Sequence, residues 1–358
     1  MTGYQIVPVD VPSISPFLLR DVREGSRRTP AISLDARLYL PDATHRPVPA
    51  IVLSHGLGGA KDHREHRYAR MLAARGFAVL VFDGFVSRGK QRFSDTIRAL
   101  RVTESMLLAD AFAGLDFLAR RDEIRADAIS IAGYSYGGMI TALTAYRQLA
   151  ETFLPGGPRF AAHVSYYGCS VPRLDDATTT GAPVLMMLGA LDRNTNIPRT
   201  EAIAADMRRG GSPVDVEIFA DTYHQWDGND AERRFVNFNL HQCHFRIDES
   251  NGVRDERTGI RMRGRASRTA MIGLSASRDG YHILRNEAAL ERSDAMLLAA
   301  LARSTQRASA PLRDDEVDGR TRSAALPTRH GSSGGGHRTV PNEPPARGRA
   351  AMAGGRRA

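Results

Sequence analysis

Residues 131–142 read IAGYSYGGMITA, which places Ser135 between two glycines where one apolar run ends and another begins. The run before it, AISIAGY (128–134), is apolar and partly β-branched, which favours a buried strand. The run after it, GGMITALTAYRQLA, has the apolar spacing of a helix. The sequence therefore predicts a strand that turns directly into a helix at Ser135.

Gly133 and Gly137 indicate why such a sharp turn is possible. The turn forces unfavourable dihedral angles on Ser135, and side chains two positions away on either side would collide. The serine hydroxyl then projects over the carboxyl-terminal edge of the sheet. The backbone N–H of Tyr136, at the helix N-terminus, points at the same place. The pattern predicts a nucleophile elbow, with Ser135 as nucleophile and the N–H of Tyr136 as an oxyanion donor.

The rest of the chain alternates between strand-like and helix-like segments. Further strand-like runs lie at residues 32–40, 50–56, 77–84, 161–168, 182–190 and 214–220. Helical patterns lie between them at 62–76, 96–121, 137–150 and 198–211, and a last helix ends near residue 303. This alternation predicts an α/β fold over residues 1–303, with a mostly parallel central sheet and helices on both faces.

A serine hydroxyl needs a base to become a nucleophile, and the base needs a group that orients it. On a sheet of this kind the acid and the histidine follow the serine in chain order, each after a later strand. Asp192 follows APVLMMLGA, and His224 comes four residues after VDVEIFA. The sequence predicts a Ser135–Asp192–His224 triad. The simpler alternatives are a carboxylate that caps the next helix and a surface histidine.

Acyl chemistry also needs donors for the developing oxyanion. SHGLGG (54–59) follows an early strand, where the second donor is expected, and the backbone N–H of Leu57 is the candidate. A phosphate-binding loop is excluded. The segment has neither the G-x-x-x-x-G-K-[ST] pattern nor the third glycine of G-x-G-x-x-G.

Five motifs together resemble the dienelactone hydrolase family of α/β-hydrolases over roughly residues 30–235. They are GYSYGG, HGLGG, the VSYYG strand, LGALD and the YH that follows VEIFA. The resemblance implies an α/β-hydrolase fold and hydrolysis of small esters or lactones through a covalent acyl-enzyme. It implies no metal and no organic cofactor. Founding members carry cysteine at the nucleophile position, so this chain resembles a serine branch of the family.

The resemblance also suggests two substrate-binding positions. Gly56 stands where the founding members have a glutamate that helps to activate the thiol. The family places an arginine near Arg88, at the end of the strand that reaches Asp83, against a substrate carboxylate. An internal ion pair between Arg88 and Asp83 or Asp62 is an equal alternative.

Residues 236–281 separate the predicted histidine loop from the last helix and form an expected insertion. In HFRIDESNGVRDERTG, apolar and polar residues alternate on both sides of Asn251-Gly252, a dipeptide that is typical of a β-hairpin turn. HQCH (241–244) has no second ligand pair, so no metal site is predicted.

Charge and composition limit the remaining classes of function. The formal net charge is +9, but residues 303–358 alone hold 11 arginines against 5 acidic residues. Residues 304–358 are rich in Arg, Gly and Pro and are predicted to be a disordered tail, with no nucleic-acid-binding face on the folded part. Two cysteines, and the lack of a signal peptide or an 18-residue apolar run, predict a cytoplasmic protein without a membrane span.

Two functions of other classes share this pattern. A serine peptidase of the prolyl oligopeptidase type has the same triad, but the chain lacks the several hundred residues that a propeller domain needs. A non-catalytic binding module on the same fold is expected to lose a member of the triad, and none is missing.

Overall fold

The computed structural model of the chain describes residues 3–23, 29–42, 46–168, 172–276 and 279–309. The predicted disordered tail lies outside these residues from position 310 onward. Its first residues, 304–309, continue the last helix, so this helix extends past the predicted end at residue 303.

The strands are β1 (Tyr4–Ile14), β2 (Ala31–Pro41), β3 (Val48–Ser54), β4 (Ala78–Phe82), β5 (Ile124–Tyr134), β6 (His163–Tyr166), β7 (Arg173–Leu174), β8 (Val184–Gly189), β9 (Val214–Phe219), β10 (Arg234–Val236), β11 (Phe245–Ile247), β12 (Val253–Asp255) and β13 (Tyr281–Ile283). The main sheet has the order β1-β2-β4-β3-β5-β6-β8-β9. Strand β2 is antiparallel to both of its neighbours, and the pairs from β4 to β9 are parallel.

The helices are α1 (Leu19–Arg23), α2 (Arg67–Ala73), α3 (Asp95–Arg101), α4 (Glu104–Ala119), α5 (Tyr136–Leu143), α6 (Arg147–Phe153), α7 (Ile197–Arg209), α8 (Arg265–Ser275) and α9 (Glu287–Ser309). A π-helical turn at Asp62–His66 leads into α2. The helical pattern at 96–121 forms two helices, because the chain leaves helical geometry at Val102 and Thr103. No helix among the described residues is long and apolar enough to cross a membrane.

Both faces of the main sheet are covered, as predicted for a parallel sheet. Along β3, Ala50 and Val52 belong to one buried apolar cluster, whereas Ile51 and Leu53 belong to another. Alternate side chains of a strand point to opposite faces, so each face has its own core. The α/β fold and the mostly parallel sheet are confirmed. The parallel strands also bring their carboxyl ends to one edge.

Strand β1 was not predicted from the sequence. Among the described strands it pairs with β2 alone, at the edge of the sheet. Pro8 and Pro12 lie within it, and proline normally argues against a strand because it cannot donate to the ladder. At an edge, the missing N–H can face away from the neighbouring strand at no cost.

The hairpin predicted in the insertion is confirmed. Strands β11 and β12 are antiparallel, with Ile247 opposite Val253, and Asn251 has a φ of 66° in the turn. The inserted segment also contains α8, and β13 at its end pairs with β10 just before it. It is therefore a small layer of several elements rather than a lone hairpin.

His163, at the start of β6, gives the fold a sensitivity to acid. Its Nδ1 lies 3.1 Å from Thr144 Oγ1, and its Nε2 has no hydrogen-bond partner among the described residues. Burial lowers the pKa of His163 from 6.5 to about 4. Between these values only the unfolded chain binds the proton, so stability is lost as the pH falls.

We therefore expect His163 to reduce the free energy of unfolding by up to about 3 kcal/mol as the pH falls from 6.5 to 4. Urea denaturation of the wild type and of His163→Leu at pH 7, 5 and 4 measures this contribution. The variant should lose less stability than the wild type over this range. Equal losses would contradict the prediction.

Candidate active site

Ser135 lies between β5 and α5, at the tip of a strained turn. Its φ is 55° and its ψ is −112°, a conformation that residues other than glycine rarely adopt. A Cβ on Gly133 would lie 2.2 Å from the carbonyl oxygen of Gly137, and a Cβ on Gly137 would lie 2.1 Å from that of Ser54. Backbone atoms cannot give way at such distances, so both glycines are sterically required.

The structure brings Ser135, Asp192 and His224 together. The Oγ of Ser135 lies 2.8 Å from Nε2 of His224, and Nδ1 of His224 lies 2.7 Å from Oδ2 of Asp192. Asp192 follows β8 and His224 follows β9, at the edge where the carboxyl ends of the parallel strands meet. This arrangement orients the imidazole to donate from Nδ1 to the carboxylate and to accept the serine proton at Nε2.

The two simpler alternatives for these residues do not hold. His224 is fully buried, so it is not a surface histidine. Helix α7 is capped by Asn196, whose side chain accepts from the backbone N–H of Arg199, so Asp192 is not its cap. One oxygen of Asp192 instead accepts from the backbone N–H of Asn194 at 2.8 Å, which fixes the carboxylate beside the imidazole.

Aromatic rings enclose the imidazole of His224. The ring of Tyr167 meets it at a centroid distance of 4.7 Å, and that of Tyr281 at 4.8 Å, both edge to face. The backbone N–H of His224 donates to the carbonyl of His282. Tyr281 and His282 belong to β13, so the end of the inserted layer forms part of the site. Ser135 itself is only 6% exposed.

Leu57 and Tyr136, the predicted oxyanion donors, lie in the loop after β3 and at the first residue of α5. His55 holds this loop in place. Its Nδ1 donates to the carbonyl of Gly56 at 2.8 Å, and its Nε2 accepts from the N–H of Gly84 at 2.9 Å. These two bonds define a neutral imidazole that ties the loop after β3 to the loop after β4.

Sequence reasoning missed a buried charged cluster beside the imidazole. Arg64 is 3% exposed, and its Nε donates to Glu65 at 3.2 Å while its Nη1 donates to Gln225 at 3.0 Å. The hydroxyl of Tyr167 donates to Asp227 at 2.5 Å, and burial raises the pKa of Asp227. The only signal in the sequence was the adjacency of Arg64 and Glu65. The contacts of Arg64 reach Tyr167 and Gln225, which are 103 and 161 positions away.

A sequence model described as the Dienelactone hydrolase family matches residues 34–239, more than half of the chain. The chain belongs to the dienelactone hydrolase family. The α/β-hydrolase fold that the resemblance implied is thereby confirmed.

Individual relatives of this dienelactone hydrolase family member are distant. A protein of Escherichia coli O157:H7 described as "Putative carboxymethylenebutenolidase" is 24% identical over 207 residues, which cover 53% of this chain and 71% of that protein. Human dipeptidyl peptidase 8 is 26% identical over 215 residues, which cover 52% of this chain but 23% of the peptidase. Among solved structures, a dienelactone hydrolase from Anabaena variabilis has a TM-score of 0.43 at 20% identity, covering 62% of this chain and 88% of that one.

Arg88 does not fill the role that the dienelactone hydrolase family suggested for it. Its guanidinium is buried against Asp110 in a bidentate pair, with nitrogen–oxygen distances of 2.6 and 2.9 Å. The remaining donors bind Ser15 and the carbonyls of residues 14, 84 and 106. Because every donor is used within the fold, none is left for a substrate carboxylate. The internal ion pair is correct, but its partner is Asp110 rather than Asp83 or Asp62.

Gly56, at the position of the family's glutamate, borders the serine. A Cβ there would lie 3.5 Å from Cβ of Ser135 and 4.0 Å from Nη2 of Arg64. His244 of the HQCH segment lies 3.4 Å from the amide nitrogen of Asn196. Among the described residues there is no group of three or more His, Cys, Asp or Glu that could hold a metal ion.

Proposed function

We propose that this protein hydrolyses small carboxylic esters or lactones through a serine acyl-enzyme. The observation that carries the proposal is the continuous hydrogen-bonded path from Ser135 Oγ through His224 to Asp192, at 2.8 and 2.7 Å. Membership of the dienelactone hydrolase family supports hydrolysis as the reaction class.

In the first step, Oγ of Ser135 attacks the ester carbonyl while Nε2 of His224 takes the hydroxyl proton. The carbonyl electron pair moves to oxygen, and the backbone N–H groups of Leu57 and Tyr136 stabilise this oxyanion. The intermediate collapses to the acyl-enzyme, and His224 returns its proton to the leaving alkoxide. Asp192 holds the imidazole and stabilises its protonated form.

In the second step, water attacks the acyl-enzyme and loses its proton to His224. The second tetrahedral intermediate expels Ser135, which regains the proton, and the carboxylic acid leaves. With a lactone the leaving alcohol stays attached to the acyl chain through both steps, and the product is a single hydroxy acid. The side chains, the substrate and one water molecule supply every atom and proton in the cycle.

Labelling with a fluorophosphonate, followed by mass spectrometry of the modified peptide, tests the nucleophile directly. We expect a single adduct on Ser135 and none in Ser135→Ala. A panel of short acyl esters, lactones and dipeptide amides then tests the substrate class, and esters or lactones should be cleaved fastest. Faster cleavage of the amides would favour a peptidase. The absence of both an adduct and any turnover would favour a binding module.

A further inference from the structure

A buried polar cluster lies behind the residue that follows the nucleophile. We call it the Tyr136 clamp, and it consists of Glu104, Tyr136 and Arg268. The hydroxyl of Tyr136 donates to Oε1 of Glu104 at 2.7 Å. Arg268 donates to both carboxylate oxygens, from Nη1 at 2.7 Å and from Nη2 at 3.1 Å, and Nη2 also lies 3.2 Å from the hydroxyl of Tyr136.

One guanidinium thus joins three helices around the elbow. Besides Glu104 at the start of α4 and Tyr136 at the start of α5, Arg268 binds the carbonyl of Ala99 in α3, from Nε at 2.9 Å and Nη2 at 2.6 Å. Burial opposes ionisation of Glu104, but the charge and hydrogen bonds of Arg268, together with the hydroxyl of Tyr136 and a backbone N–H, lower the pKa of the carboxyl. The clamp is therefore an ionised pair with a phenol hydrogen-bonded into it.

The position of Tyr136 matters because the turn beside it is strained. Ser135 has a φ of 55°, and such a conformation persists only where the surroundings hold it. In the proposed function, the N–H of Tyr136 is an oxyanion donor. Donors of this kind must be held to within about 0.5 Å to be effective. A fixed side chain on Tyr136 restrains the N–H of the same residue.

We propose that Arg268 is a positioning residue for catalysis: from the inserted layer, it holds Tyr136 and thereby the oxyanion donor. The inference rests on the proposed function. Arg268 lies on α8, within residues 236–281. The insertion therefore acts on the reaction at two places, at Tyr136 through Arg268 and at His224 through Tyr281. Glu104 and Arg268 act on the reaction only through Tyr136.

Substitution of Arg268 by methionine, which keeps the length of the side chain but removes its donors, tests this role. We expect kcat for a short acyl ester to fall about 10- to 100-fold with KM changed less than about threefold, since losing an oxyanion donor outright costs about 10²- to 10³-fold. Arg268→Lys should recover part of the loss. Arg265→Met, which removes an exposed arginine from the same helix, should match the wild type.

A second measurement separates positioning from a general loss of structure. A trifluoromethyl ketone forms a tetrahedral adduct with the serine, and its oxyanion uses the same donors. The Ki of this ketone should rise in Arg268→Met by the same factor by which kcat/KM falls. Both constants are measured below the melting temperature of the variant and are normalised to its concentration of active sites, determined by titration. A folded variant with unchanged kcat and Ki would make the clamp a stabilising ion pair only.

If Arg268→Met does not fold, Tyr136→Phe keeps the ion pair and removes one hydroxyl. We expect a smaller, parallel change in kcat and Ki of about 3- to 10-fold, and wild-type values in this variant would overturn the proposal. A wild type without turnover on any ester or lactone would instead contradict the proposed function. The two failures are therefore distinguishable.

Discussion

Replacing Ser135 or His224 by alanine is expected to lower kcat for ester hydrolysis by a factor of about 10⁴ or more. Ser135→Ala removes the atom that forms the acyl-enzyme, and His224→Ala leaves no base 2.8 Å from that atom. Asp192→Ala should be somewhat milder, because the imidazole loses its orienting partner but remains in place. Since the three act as a unit, double variants should be little worse than the worst single variant.

Steady-state kinetics, with circular dichroism to verify folding, measures this series. His241→Ala and His244→Ala are the matched controls, since both histidines lie in the inserted segment and neither hydrogen-bonds Ser135. If His224→Ala kept more than about a tenth of the wild-type activity while either control abolished it, the base would be wrongly assigned.

Replacing Arg64 by methionine is expected to lower the free energy of unfolding by about 3–5 kcal/mol. The change leaves Glu65 and Asp227 buried without the charge of Arg64. Removing one partner of a buried ion pair typically lowers the free energy of unfolding by about 3–5 kcal/mol, because the other charge is left without compensation. Chemical denaturation at pH 8 measures the loss. Arg70→Met, which breaks an exposed ion pair with Asp62, is the control and should leave stability close to the wild type.

The pH dependence of the Arg64→Met variant provides a further test. Burial already raises the pKa of Asp227 and the charge of Arg64 opposes this shift, so without Arg64 the folded state binds more protons as the pH falls. The deficit in stability should therefore shrink between pH 8 and pH 5. A deficit below about 1 kcal/mol, or one independent of pH, would contradict the role assigned to Arg64.

The parts of the molecule that the sequence predicted depend on local patterns. Apolar runs located the strands from β2 to β6 and β8 and β9, because burial on both faces requires continuous apolar residues. The glycines at 133 and 137 located the elbow, because only they fit beside the carbonyls that approach them. The order of Asp192 and His224 after later strands was enough to predict that they meet the serine, because the carboxyl ends of parallel strands lie at the same edge of the sheet.

The parts that the sequence did not predict depend on partners far apart in the chain. Nothing near Arg88 indicates that Asp110, in the next-but-one helix, neutralises it. Arg268 meets Glu104 and Tyr136 across 164 and 132 positions, so no window of sequence contains the cluster. The Asn251-Gly252 turn predicted the hairpin, but the pairing of β10 with β13 around it has no comparable local signal.

The enclosure of Ser135, which is 6% exposed, has a kinetic consequence. The imidazole beside it packs against Tyr167 and against Tyr281 of β13. In the proposed hydrolysis an ester has to reach this nearly buried residue, so we expect an opening of the surrounding side chains to contribute to the rate. Bulky acyl esters should then react more slowly than short ones even when their carbonyls are equally reactive. The turnover rate expected of the proposed reaction therefore depends on the size of the acyl group as well as on the quality of its leaving alcohol.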